Sequence, residues 1–516
     1  MTTQVLVLGL DAAAAPVIDR LVAAGRAPTL RALATRGSTF ELASPLRTLP
    51  GAIWPELCTG ISGARSGHYY QPAQLHPGEA APRWTVETDV DAEEQLWVVA
   101  GRAGRQVAAI DVPQTVIAPS LGGMQVIEYG GHDATYPPAS EPAGLRDELG
   151  ARHGWHPLRP PGTERGAPCD VFRSEHDHDA LLDALLTGVE RKTAIIEDVL
   201  ARADHDLVVA AFSETHCVGH QFWCWYDEDH PLHAADASPR RRDAIPSVYE
   251  AVDAAVGRLV ALAGPDAEVL VVATHGMGRA VGGYQLVPEV IERLGLGPRG
   301  STIAQAPSRL PAPVRSVARR TIPARLRDRR NVAAGNLPHL HLEHASTRAV
   351  TVTNNRCGAV RLNLAGRDPR GCVEPGEAAG LLELIRAAFL ELRDPRSGEP
   401  IARRVFTADE EWGPDRHVSV PDLVVDFRPE LAPIDAAESA RLGRVELPIR
   451  RVDEHGPRRT GDHLPDSRVW VAGPRLSGLG PVAGANVLDV TPTVLSLLDV
   501  AVPAGLDGRP WTLDAG

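Results

Sequence analysis

The chain has 516 residues, 43% of them hydrophobic and 23% charged, which excludes a disordered, collagen-like or disulfide-scaffold protein. Its formal charge of −13, from 53 basic and 66 acidic residues, argues against a general nucleic-acid binder. Six scattered cysteines with no CxxC pair predict a reducing compartment, and no apolar run reaches the ~18 residues that span a bilayer, so a soluble, cytoplasmic protein is expected.

Taken in chain order, residues 5–10 read as a buried strand ending at Asp11, and residues 15–35 as an amphipathic helix. A second strand is expected at 106–110, a long helix at 179–203 and a strand at 206–212. A helix at 247–263 then precedes a strand at 268–273. Apolar strands alternating with helices predict a mostly parallel sheet covered on both faces, the three-layer αβα sandwich of the α/β class. The segment 309–330 carries eight arginines among Pro311, Pro313 and Pro323, and reads as surface helices with solvated arginines, or else as an anion-facing lid or a membrane-surface contact. Beyond it come a strand pair over 348–364 with a turn at Asn354-Asn355-Arg356, a helix at 377–392 and a strand at 422–427. A strand at 467–472 and a helix over 486–499 close the chain. Lys192 is the only lysine, so arginine supplies nearly all the positive charge.

Ligands of open α/β sheets bind at the carboxyl ends of the strands, and several polar groups fall there. Asp11 ends the first strand; His216 and His220 follow the 206–212 strand, with Glu214 just before them; His275 follows the 268–273 strand between Thr274 and two glycines. Those glycines are expected to turn the chain sharply. His463 stands in a polar loop after Asp462, and Thr48 in a loop before a helix. The i, i+4 spacing of His216 and His220 puts two imidazoles on one helix face. Each residue alone is as readily structural. Together, one aspartate and four histidines form the oxygen and nitrogen donor set of zinc or a similar ion. A metal pair ~4 Å apart clamps the attacking and leaving oxygens of phosphoryl transfer, and a nearby threonine hydroxyl serves as nucleophile. Other chemistries lack their signatures: no glycine-rich dinucleotide turn, GxSxG elbow or phosphate loop is present, and Cys58 is not in a Cys-x-Pro-x-Arg sequence.

The ordered set of motifs resembles the alkaline phosphatase superfamily, in its type I phosphodiesterase and nucleotide pyrophosphatase branch, over nearly the whole chain. The motifs are the first strand with Asp11; Thr48-Leu49-Pro50-Gly51-Ala52-Ile53-Trp54-Pro55; Ser213-Glu214-Thr215-His216-Cys217-Val218-Gly219-His220; Thr274-His275-Gly276-Met277; and Asp489-Val490-Thr491-Pro492-Thr493. The resemblance implies an alkaline-phosphatase-like fold with Thr48 as nucleophile. It implies metal ligation by Asp11, Thr48, His216, His220, His275 and His463, with up to two divalent ions, zinc first and manganese or iron as alternatives. Three departures stand out. His216 and Thr274 occupy positions where the family has aspartates, and Gly51 stands where nucleotide pyrophosphatases carry an asparagine. Glu214, Thr274 and Asp462 are candidate auxiliary groups, and Asn355 and Arg361 candidate substrate contacts.

The expected domains are a metal-binding core at 1–286 and 431–516, an Arg/Pro-rich insertion at 287–345 and a small α+β subdomain at 346–430 that caps the core. The expected function is a metal-dependent hydrolase of small phosphate esters, diesters or pyrophosphates in preference, acting through a phospho-threonine intermediate. A phosphoryl transferase or mutase, a sulfate or phosphonate ester hydrolase, and a non-catalytic ligand-binding member of the same fold stay open as alternatives.

Overall fold

Along the strand Thr3–Leu10 (β1), Val5 and Val7 enter one hydrophobic cluster while Leu6, Leu8 and Leu10 enter another. Side chains alternate across a strand, so a strand apolar at every position needs cover on both faces. The computed structural model describes residues 3–45, 49–69, 73–75, 78–79, 83–84, 90–119, 121–130, 136–162, 175–297, 346–352, 356–446, 452–453, 456–457 and 459–512. Thr48, Asn355 and the arginine-rich segment 309–330 lie outside them.

The further strands of interest are Ser38–Leu42 (β2), Val107–Ile110 (β3), Met124–Ile127 (β4), Ala139–Glu141 (β5), His205–Phe212 (β6), Glu268–Ala273 (β7) and Gly276–Arg279 (β8). They continue with Ala349–Val352 (β9), Gly358–Leu362 (β10), Ala402–Thr407 (β11), Leu423–Phe427 (β12), Gly461–Leu464 (β13) and Ser467–Ala472 (β14). The principal helices are Ala15–Ala23 (α1), Pro28–Arg36 (α2), Ile53–Thr59 (α3), Glu175–Leu200 (α4), Glu214–Tyr226 (α5), Ala244–Ala263 (α6), Pro375–Glu391 (α7) and Val490–Leu497 (α8).

Eight strands form one sheet in the order β2-β14-β7-β1-β6-β3-β4-β5. The five central strands, β7 to β4 in that order, are parallel, and β14, β2 and β5 are antiparallel to their neighbours. On the face carrying Leu6 and Leu8, the core draws Leu181 and Leu185 from α4, Val218 and Phe222 from α5, and Val252 and Val256 from α6. On the opposite face, Val5 and Val7 pack with Trp54 and Leu57 of α3 and Val494 and Leu495 of α8. This is the expected mixed α/β sandwich.

The chain divides into two units, 1–72 with 85–281 and 449–516, and 73–84 with 282–448. The second unit holds an antiparallel sheet in the order β9-β10-β12-β11, together with α7. Its hairpin segment 73–84 comes from a part of the chain that carries no strand signal the sequence reading recognised. The predicted single helix at 15–35 is two helices. Gly25 takes φ +74°, a left-handed conformation, and Pro28 begins the next helix, where its missing N–H costs nothing. No described helix is long and apolar enough to cross a membrane.

Candidate metal centre

The parallel strands deliver the expected polar groups to one edge of the first unit's sheet. Asp11 follows β1, α5 with His216 and His220 follows β6, and Thr274-His275 follow β7. β14 runs antiparallel to β7, with Arg468 opposite Ala273, so its beginning lies at that same edge. This brings the preceding strand β13, with His463, into place. The polar sequence around His463 predicts a loop; His463 instead sits on β13, paired opposite Met277 of β8. The expected sharp turn at Gly276 and Gly278 is also corrected, because both glycines belong to the strand β8 and neither has positive φ.

Glycine's role here is close approach. A Cβ on Gly461 would lie 2.2 Å from the carbonyl oxygen of Gly219 in α5, and one on Gly219 would lie 2.7 Å from Met277 Cγ. Without side chains at these positions, β13 and β8 lie directly against the helix that carries His216 and His220.

The three imidazoles converge. His216 Nε2 lies 2.6 Å from His463 Nε2 and 2.8 Å from His220 Nε2. All three residues are buried, and they are the convergent donor set of three or more ligating side chains among the described residues. His220 Nδ1 donates to the Gly461 carbonyl at 2.7 Å, which leaves the Nε2 lone pair pointing into the cluster. Arg459 brings a guanidinium N–H to that same Nε2 at 2.7 Å.

Asp11 lies behind this cluster. One carboxylate oxygen stands 3.1 Å from His216 Nδ1, and the other accepts from Trp54 Nε1 at 2.9 Å and lies 4.0 Å from His275 Nδ1. Burial alone would raise its pKa, but His216, His275 and the Trp54 hydrogen bond hold the carboxyl below its ordinary value. His275 is fully enclosed, and burial pushes its pKa down to about 4, so the ring is neutral near pH 7. Its Nδ1 lies 3.1 Å from the Thr274 hydroxyl, and its Nε2 is a buried nitrogen without a hydrogen-bond partner among the described residues. Asp462 accepts the backbone N–H of His463 at 2.9 Å.

Two candidates have other partners. Glu214 faces away from the histidines: its carboxylate lies 3.2 Å from Lys192 Nζ and 3.2 Å from His156 Nε2. Lys192 Nζ also reaches Asp111 at 2.9 Å, and burial, which would lower the lysine pKa, is overcome by these two carboxylates. Arg361 belongs to the second unit, where its guanidinium engages Asp368 at 2.9 Å and the Val418 carbonyl. It joins β10 to neighbouring loops of that unit. Trp54, Arg459, Asp111 and Lys192 have no role assigned from the sequence. Trp54 lay inside a quoted motif and Lys192 stood out as the single lysine, whereas Arg459 is four residues from His463 and gave no signal of its own.

The family model for type I phosphodiesterase / nucleotide pyrophosphatase matches residues 5–458. The chain belongs to this family. Human ectonucleotide pyrophosphatase / phosphodiesterase 5 is similar in structure, with a TM-score of 0.51 and 11% identity, covering 99% of this chain and 100% of that one. The phosphonoacetate hydrolase of Sinorhizobium meliloti 1021, in complex with phosphonoformate, aligns at a TM-score of 0.47 and 13% identity, over 96% of each chain. A comparison with curated protein sequences gave no match. At 11% identity, the likeness to the human protein is one of fold. The family match ends five residues before His463, so the third histidine of the cluster is known from the structure and from the sequence motif around it.

Proposed function

We propose that this family member is a metal-dependent hydrolase of small phosphate esters, with diesters or pyrophosphates preferred. The observation that carries the reading is the convergence of His216, His220 and His463 at the carboxyl edge of the sheet in a chain of this family. Three neutral imidazole nitrogens suit zinc or a related ion, and Asp11 and His275 stand beside them. A divalent ion held there supplies Lewis-acid stabilisation of the charge that develops on the phosphoryl oxygens.

Thr48, assigned from its motif, is the nucleophile of this proposal. Its hydroxyl gives up its proton to solvent as Oγ forms the bond to phosphorus in line with the leaving oxygen, the ester bond breaks, and the leaving alcohol or phosphate departs with the electron pair and takes up a proton from solvent. Water then cleaves the phospho-threonine and restores the hydroxyl. Arg459, a cation at the cluster, is placed to attract an anionic ester.

The test is turnover of an aryl phosphate diester by the wild type and by Thr48→Ala. Loss of turnover in a variant that still melts like wild type supports the nucleophile; retained turnover overturns it. A second reading, hydrolysis of phosphonate or sulfate esters, is favoured by the neutral His216 and Thr274 where the family has aspartates. Faster turnover of an aryl sulfate than of the phosphate diester would select it, and no turnover of either would select the ligand-binding reading.

A further inference from the structure

We infer that the chain builds one three-histidine metal centre instead of a metal pair, and that Asp11 is a positioning residue which holds His216 from behind. This rests on the metal-dependent reading above and specifies its site.

The geometry around His216 is the starting point. Its Nε2 lies within 2.8 Å of two other imidazole nitrogens, a crowding of lone pairs that needs a shared cation or proton between them. Its Nδ1 faces away, toward Asp11 Oδ2 at 3.1 Å. This is the arrangement of a carboxylate behind a metal-binding imidazole, which fixes the ring and its tautomer and raises the basicity of the far nitrogen. His220 has the equivalent support from the Gly461 carbonyl at 2.7 Å. His220 is therefore fixed at Nδ1 by a hydrogen bond and His216 stands at ion-pair distance from a carboxylate, both with Nε2 turned inward.

Asp11 is committed on both oxygens. Oδ2 faces His216, and Oδ1 accepts the Trp54 indole N–H at 2.9 Å. An ion at Asp11 would share its carboxylate with the His216 ring and the Trp54 indole N–H. The described groups beside it, the Thr274 hydroxyl and the His275 imidazole, bring no negative charge. Two dications held close together repel strongly unless carboxylates offset them. A guanidinium already lies 2.7 Å from His220 Nε2, so one positive charge is accommodated at this point before any ion arrives. The arrangement therefore suits one dication that replaces the guanidinium, not two added beside it.

The experiment is equilibrium dialysis of the full chain against zinc, with metal per chain measured by elemental analysis, for wild type, Asp11→Asn and His216→Ala. Cobalt absorption and thermal melting of the metal-free proteins accompany it. The inference expects one equivalent in wild type and its loss in His216→Ala. In Asp11→Asn it expects one equivalent, bound 10- to 100-fold more weakly with a shifted cobalt band, at an unchanged metal-free melting temperature. Two equivalents in wild type overturn the inference and leave the hydrolase reading standing. One equivalent with unchanged affinity and cobalt band in Asp11→Asn overturns the role given to Asp11. No metal in wild type overturns the inference and the metal-dependent reading together. The wild-type count decides the number of ions even if the Asp11 variant fails to fold.

Discussion

In the proposed metal centre, Arg459 and a metal ion would compete for one lone pair. The guanidinium donates to His220 Nε2 at 2.7 Å, and a hydrogen bond to a charged group contributes about 1.5–3 kcal/mol. Arg459→Met removes the competitor while keeping the apolar stem, so zinc should bind about tenfold tighter, as isothermal titration would show. Weaker binding would mean that Arg459 supports the site instead. Lys192 poses the opposite case. It is fully buried between Asp111 and Glu214, and removing one partner of such a group leaves charge buried without compensation, at a cost of about 3–5 kcal/mol. Lys192→Met should therefore lower the urea unfolding free energy by that order, and a loss under about 1 kcal/mol would contradict the pairing. The chemistry-bearing residue types were legible in the sequence, since Asp11 and the four histidines all reached one sheet edge. Their roles were not. Glu214, two residues before His216, looked like a spare ligand, yet at the start of α5 it points to a lysine on α4. Which side of a helix start a carboxylate takes depends on what is packed behind it.

At the scale of elements, the site depends on how closely β13 approaches α5. A methyl group on Gly461 would collide with the Gly219 carbonyl, which is backbone and cannot swing aside. Gly461→Ala should push β13 outward, loosen His463 from the cluster and weaken zinc binding together with stability, measured by dialysis and melting in parallel. Unchanged metal affinity would show that His463 does not depend on this contact. A second prediction concerns α3, where Glu56 accepts the Gly63 N–H at 2.7 Å. Burial pushes its pKa from 4.5 up to about 8, against that hydrogen bond and with help from Asp507. A carboxyl with a raised folded-state pKa contributes stability that is fully present below pH 4.5 and is lost as pH rises through about 8. Between pH 5 and 9, wild type should thus lose more melting temperature than Glu56→Gln; parallel curves would refute the assignment. Elements with strong periodicity, such as β1, β6, β7 and α6, were legible, whereas β8 and β13 were not. Both are short and glycine-containing, and their extended form is imposed by pairing with each other.

The whole molecule offers a simple probe of its own folding. Lys192 is the single lysine and is buried in the layer between the sheet and α4. An amine-reactive reagent should leave it unmodified in the native protein and label it only when this unit unfolds, at a rate that follows denaturant. Rapid labelling in native buffer, read by peptide mass mapping, would disprove its burial.

The sequence alone determined the class of the fold, because continuous apolar strands separated by amphipathic helices can bury both faces only in a layered parallel sheet. It also carried the family resemblance and the residue types that meet at the sheet edge, since those reside in residue identities and their order. The tertiary structure decided which donors meet. His216 and His463 are 247 positions apart and touch at 2.6 Å only because β14 returns antiparallel beside β7 and carries β13 with it. It decided equally that Asp11 stands behind His216 and that Arg459 stands in front of His220, since such orders follow from packing between distant segments and leave no local pattern to read.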